Sequence, residues 1–135
     1  MLIREEPTTP YVKLDRENCM LTIIGKSYPE HPSLFYGPIV EEIDKCKESL
    51  TNSKITLNIA LEILNSVSTK YLFHVIKELY ESSMETEVNW YYESDDESML
   101  EEGSYLESSF PKSNFKLIGV EDIRKIWKLL LQKVS

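Results

Sequence analysis

The stretch from Ile55 to Tyr92 most restricts what this chain can fold into. Ile55-Thr56-Leu57-Asn58-Ile59-Ala60-Leu61 alternates as a strand does, and the strand continues through Glu62 and Ile63. Leu72, Val75, Ile76 and Leu79 then recur at helical spacing, which predicts a helix from about Ser68 to Ser82. Glu87 to Tyr92 alternates again, with Val88, Trp90 and Tyr92 facing a core and Tyr91 facing out, where it is a candidate interface residue. Strand, helix and strand in that order require a parallel crossover, and therefore a sheet carrying at least one helical layer.

The flanking segments extend this pattern. Tyr11 to Asp15 and Met20 to Ile24 read as a hairpin turning at Asp15-Arg16-Glu17-Asn18. Gly25 to Pro32, with two prolines and a glycine, reads as a loop, and Ser33 to Leu50 as an amphipathic helix with Phe35, Ile39, Ile43, Cys46 and Leu50 inward. Ser94-Asp95-Asp96-Glu97 opens a helix that runs to about Glu107, before Phe110-Pro111. Asn114 to Val120 is a last strand. Glu121-Asp122 then starts a C-terminal helix, 121–134, striped by Ile123, Ile126, Trp127, Leu130 and Val134. The order β-β-α-β-α-β-α-β-α describes one small α/β domain over residues 1–135, a mixed sheet packed with helices.

Composition narrows the function classes. A chain of 135 residues buries roughly two thirds of its unfolded surface, enough for a core without staples. No apolar run approaches the ~20 residues needed to span a bilayer, and the acidic N-terminal segment is not a secretory or transit signal, so a cytoplasmic protein is expected. A net charge of -8 disfavours nucleic acid, whose binding relies on clustered Lys and Arg. Cys19 and Cys46 share no metal-ligand spacing and read as two buried thiols.

The chemistry concentrates where the central strand meets its helix. Asn65-Ser66-Val67-Ser68-Thr69-Lys70 places three hydroxyls at a helix start, a location that favours covalent or bound phosphate. In local terms Ser68 is expected to cap the helix, with Asn65 or Ser66 bonding nearby backbone. A phosphorylation site is the sharper reading, and a module that holds a small anion or nucleotide at 65–70 is the alternative. The carboxylates Glu93, Asp95, Asp96, Glu97, Glu101 and Glu102 lack a calcium-loop pattern and read as a solvated helix start. His31 and His74 complete no triad. No enzyme, cofactor or metal is expected.

Four separated segments carry a further signal: Gly25-Lys26-Ser27-Tyr28-Pro29-Glu30, Phe35-Tyr36-Gly37-Pro38-Ile39, Leu64-Asn65-Ser66-Val67-Ser68-Thr69-Lys70, and Trp90-Tyr91-Tyr92-Glu93-Ser94-Asp95-Asp96-Glu97. In order and spacing they resemble the SiaC family of bacterial regulatory phosphoproteins over roughly residues 8 to 118, leaving the C-terminal helix outside. The resemblance implies a fold like the STAS domains of anti-sigma factor antagonists. It also implies a protein without catalysis of its own, phosphorylated by a partner kinase and dephosphorylated by a PPM-type phosphatase. In its unmodified form such a protein binds and activates an output protein such as a diguanylate cyclase. The modified hydroxyl follows the motif's Asn, so it falls on Ser66, with Ser68 and Thr69 as weaker acceptors. The family often has Thr and Ser where this chain has Ser66 and Val67, so one alternative acceptor is gone. Partner-facing candidates are Tyr28, Glu30, Asn65, Lys70, Tyr91, Asp95 and Asp96, and the expected assembly is a monomer or weak dimer.

Overall fold

The computed structural model describes residues 1–49, 53–111 and 113–133. Its elements are β1 (Leu2–Ile3), β2 (Tyr11–Asp15), β3 (Met20–Ser27), α1 (Pro32–Ser49), β4 (Lys54–Leu64), α2 (Ser66–Tyr80), β5 (Glu85–Glu93), α3 (Glu97–Ser109), β6 (Asn114–Val120) and α4 (Ile123–Lys133). The six strands form one mixed sheet in the order β1-β2-β3-β4-β5-β6. β1, β2 and β3 pair antiparallel, whereas β3 through β6 run parallel, as the connecting helices demand.

Alternation sorts the strand residues between two cores. Val12, Leu14, Leu21, Ile23, Ile55, Leu57, Ile59, Leu61, Val88, Trp90 and Phe115 point to one face and form a single cluster with the buried sides of α1, α2 and α3. The other face belongs to α4: Ile24, Ala60, Ile123 and Leu130 are buried there, with Tyr11, Tyr91, Val120, Ile126 and Trp127 packed around them. Polar contacts fix the helix in place. Ile123 N–H donates to Glu93 Oε2 (3.2 Å), Arg124 pairs with Glu62 (3.2 and 3.3 Å), and Trp127 Nε1–H donates to the Ala60 carbonyl of β4 (2.7 Å).

Several local expectations change. Gly25 to Ser27 are strand, not loop; the ladder to β4 shifts register between Gly25 and Lys26, where Gly25 adopts φ +121°. That conformation and the Glu5 carboxylate lying against Gly25 leave no room for a Cβ. Cys46 is buried, but Cys19 is a half-buried turn residue with φ 51°, and both are free thiols. α2 begins at Ser66, two residues earlier than the apolar spacing marks. Tyr91 does face away from Val88 and Trp90, but α4 covers it, so it does not lie on an open surface. Leu50 and Val134, expected in their helical stripes, lie outside the described residues. Among the described residues, no helix is long and apolar enough to cross a membrane.

Candidate functional site

β4 ends at Leu64 and α2 starts at Ser66, so a single residue, Asn65, makes the turn. Asn65 holds an extended backbone (φ -91°, ψ 167°), and its side chain accepts the Ser68 N–H at 2.9 Å. Asn65, not Ser68, is therefore the helix cap. An N-cap residue must precede the first helical residue, with its side chain returning to an N–H two or three residues on, and Ser68 already lies inside the helix. Replacing Asn65 by alanine is expected to cost about 1 kcal/mol of stability. Urea titration checks this, and a variant as stable as the wild type would contradict the capping role.

Beneath this turn lies a set of buried hydroxyls that no periodicity announced. Ser27 Oγ donates to Ser68 Oγ (2.8 Å), and Ser68 Oγ donates to the Ser27 carbonyl (3.2 Å). Tyr36 shares a 2.6 Å hydrogen bond with Ser27 Oγ; because the Ser27 proton is committed to Ser68, Tyr36 is the donor. Asn65 N–H adds a fourth link, to the Ser27 carbonyl at 3.1 Å. The end of β3, the N-terminal part of α1 and the start of α2 are thus tied through one point. Burial raises the Tyr36 phenol above its ordinary value, against the opposing pull of its hydrogen bonds with Ser27 and Ser68. Its ring stacks on Tyr71 (4.9 Å, 8°) and meets Phe35 edge-on (4.9 Å). The signal available in the sequence was indirect: Ser27, Tyr36 and Ser68 each sit in one of the quoted motifs.

The network decides which hydroxyls face solvent. Ser68 is fully buried and Thr69 nearly so, the latter donating from Oγ1 to the Asn65 carbonyl (3.2 Å). Ser66 alone of the three is exposed, on the first turn of α2. The helix there presents N–H groups to solvent, as helix starts do, and its dipole favours negative charge. Lys70, four residues on, occupies the same side of the helix. Between α1 and α2 an apolar groove of about 510 Å³ is lined by Ser33, Gly37, Val40, Val67, Lys70, Tyr71 and His74. Of these, Val67 is an exposed apolar side chain (39%).

The remaining candidates distribute as follows. Tyr28 and Glu30 are exposed just after β3, which ends in register with Leu64. Asp95 is exposed in the turn after β5, and Asp96 caps α3 by accepting the Met99 N–H (3.0 Å). These residues share the carboxyl end of the parallel strands with Ser66, whereas Tyr91 lies under α4 on the opposite face.

Fold and site together define a single-domain mixed α/β protein whose distinctive chemistry is an accessible seryl hydroxyl on a capped helix start. The chain belongs to the SiaC family of regulatory phosphoproteins, whose model matches residues 3–120. No curated protein sequence matches it. Among solved structures, a chain of the crystal structure of the diguanylate cyclase SiaD in complex with its activator SiaC from Pseudomonas aeruginosa superposes with a TM-score of 0.75. That match is 20% identical and covers 87% of this chain and 96% of the other. Apo-SiaC of the same organism gives a TM-score of 0.72 at 19% identity, covering 87% and 95%. α4 lies beyond the family match.

Proposed function

We propose that this protein is a signalling switch set by reversible phosphorylation of Ser66 and read by a partner enzyme. The observation that carries the reading is the burial of Ser68 and Thr69 beside an exposed Ser66, on a helix start bordered by an apolar groove. A cognate kinase transfers phosphate to the Ser66 hydroxyl and a PPM-type phosphatase removes it. Family membership, together with the pairing of SiaC and the diguanylate cyclase SiaD in the Pseudomonas aeruginosa complex, supports a diguanylate cyclase as the output partner.

The physical logic follows from charge and solvation. Unmodified, the groove lined by Val40, Val67 and Tyr71 offers apolar surface whose burial drives association. A phosphoseryl group adds about -1.5 to -2 charge, held in the free protein by the helix start and by Lys70. Covering that charge with a partner would require stripping its water, so phosphorylation closes the surface. The protein acts through binding, and the chemistry of the switch is supplied by the kinase and phosphatase.

The test is incubation with the cognate kinase and ATP, followed by phosphopeptide mapping. Label is expected at Ser66 and absent from Ser66→Ala, which should still bind the partner. Label persisting at full level in Ser66→Ala would falsify the assignment.

A further inference from the structure

We propose that Cys19 and Cys46 are a redox pair that closes into an intramolecular disulfide, tying the turn between β2 and β3 to α1. The chain has two cysteines, separated in sequence by β3 and most of α1, and the fold carries both to one corner. Arg16 of the turn pairs with Glu42 of α1 at 3.1 Å, and the Cys19 thiol donates to the Arg16 carbonyl at 3.5 Å. Cys46 follows Glu42 by one helical turn, on the same side of α1. The electrostatics agree with that placement. Burial raises the Cys46 thiol, Arg16 opposes the rise, and charge on Cys19 or Glu42 adds to it. One thiol feels another's charge in this way only as a close neighbour.

The backbone of Cys19 is the second observation. Its φ of 51° lies in the left-handed region, which no other non-glycine residue adopts among the described residues. Glycine, asparagine and aspartate are the usual occupants of such a position. Turn chemistry therefore does not account for a cysteine here, whereas a partner for its sulfur does. The conformation is held from both sides, since Cys19 N–H donates to the Arg16 carbonyl (3.3 Å) and its own carbonyl accepts the Thr56 N–H (3.0 Å).

The two thiols differ in access, and that sets the order of events. Cys19 is half-buried on the turn, whereas Cys46 is enclosed in the larger core cluster. With a small-molecule disulfide as oxidant, the Cys19 thiolate attacks one of its sulfurs, the oxidant's S–S bond breaks, and one small thiol leaves from the mixed disulfide. Cys46 then attacks Cys19 Sγ and displaces the second small thiol. Two protein thiols lose two electrons and two protons, and the oxidant gains both as two thiols. Because Ser33, Gly37 and Val40 of α1 line the groove beside Ser66, the bond also anchors one wall of that groove.

The full chain, reduced and then freed of reductant, is to be incubated under native conditions with oxidised glutathione. Remaining thiols are blocked before unfolding, and the digest is mapped by mass spectrometry. The expected product is a monomer with Cys19 linked to Cys46, melting roughly 10 °C higher and reverting with dithiothreitol. Cys46→Ala should stop at a glutathione adduct on Cys19, and Cys19→Ala should leave Cys46 unmodified. A wild type that stays reduced or stops at the adduct would overturn the proposal, because a disulfide needs the two Cα atoms within about 7 Å. Linkage between two chains, an internal bond that lowers the melting temperature, or an adduct on Cys46 in Cys19→Ala would overturn it equally.

Discussion

Trp90→Ala is expected to destabilise the protein by about 3–5 kcal/mol, a large share of the roughly 5–15 kcal/mol that a domain has in total. Trp90 is 1% exposed on β5, and its Nε1–H donates to the Met99 carbonyl of α3 at 3.1 Å. The indole lies so close to α3 that only glycine fits opposite it: a Cβ on Gly103 would stand 2.5 Å from Trp90 Cδ1 and 2.8 Å from Leu117 Cδ2. That close fit means truncation leaves a cavity bounded by backbone, which collapses poorly. Met99 also loses its side-chain donor. Urea denaturation reads the loss as a lower midpoint at similar slope; a cost under about 1.5 kcal/mol would show that α3 relaxes into the space.

Tyr36 carries the second large effect, and two substitutions divide it. Tyr36→Ala removes a fully buried ring with its stacking partners Phe35 and Tyr71 and should cost about 3–5 kcal/mol. Tyr36→Phe keeps the ring and deletes only the donor to Ser27, for about 1–3 kcal/mol. The phenylalanine variant tests function more directly. Ser27 is bonded to both Ser68 and the Asn65 N–H, so loosening it should speed amide exchange from Asn65 to Thr69 while leaving β5 and β6 protected. Uniform acceleration across all strands would mean that the hydroxyl supports the fold as a whole rather than the turn that presents Ser66.

The sequence pattern located most elements because burial imposes periodicity on them. β6 runs from Asn114 to Val120, the bounds expected of the last strand, and α1 buries Ile39, Ile43 and Cys46 as its spacing predicted. β1 escaped because two residues carry no period. The capping residue was ambiguous because Asn and Ser share the same capping chemistry; what separates Asn65 from Ser68 is where β4 stops, and that depends on pairing with β3 out to Ser27. Tyr91 shows the limit of alternation from another side. The pattern assigns its face correctly but cannot say that a helix 30 residues later will cover it. The Ser27–Ser68 bond joins residues 41 apart, a contact that belongs to tertiary structure alone.

The strand order has a consequence for how the molecule meets others. Open α/β sheets usually hold small ligands in the crevice formed where strand order reverses and successive helices part to opposite sides. Here the order ascends from one edge to the other, and α1, α2 and α3 pack on the same side. The only change of side among the described helices comes after the last strand, where α4 crosses to the other face. The Asn65-capped and Asp96-capped helix starts open side by side on an uninterrupted rim, a shape suited to being covered by another macromolecule rather than to enclosing a metabolite.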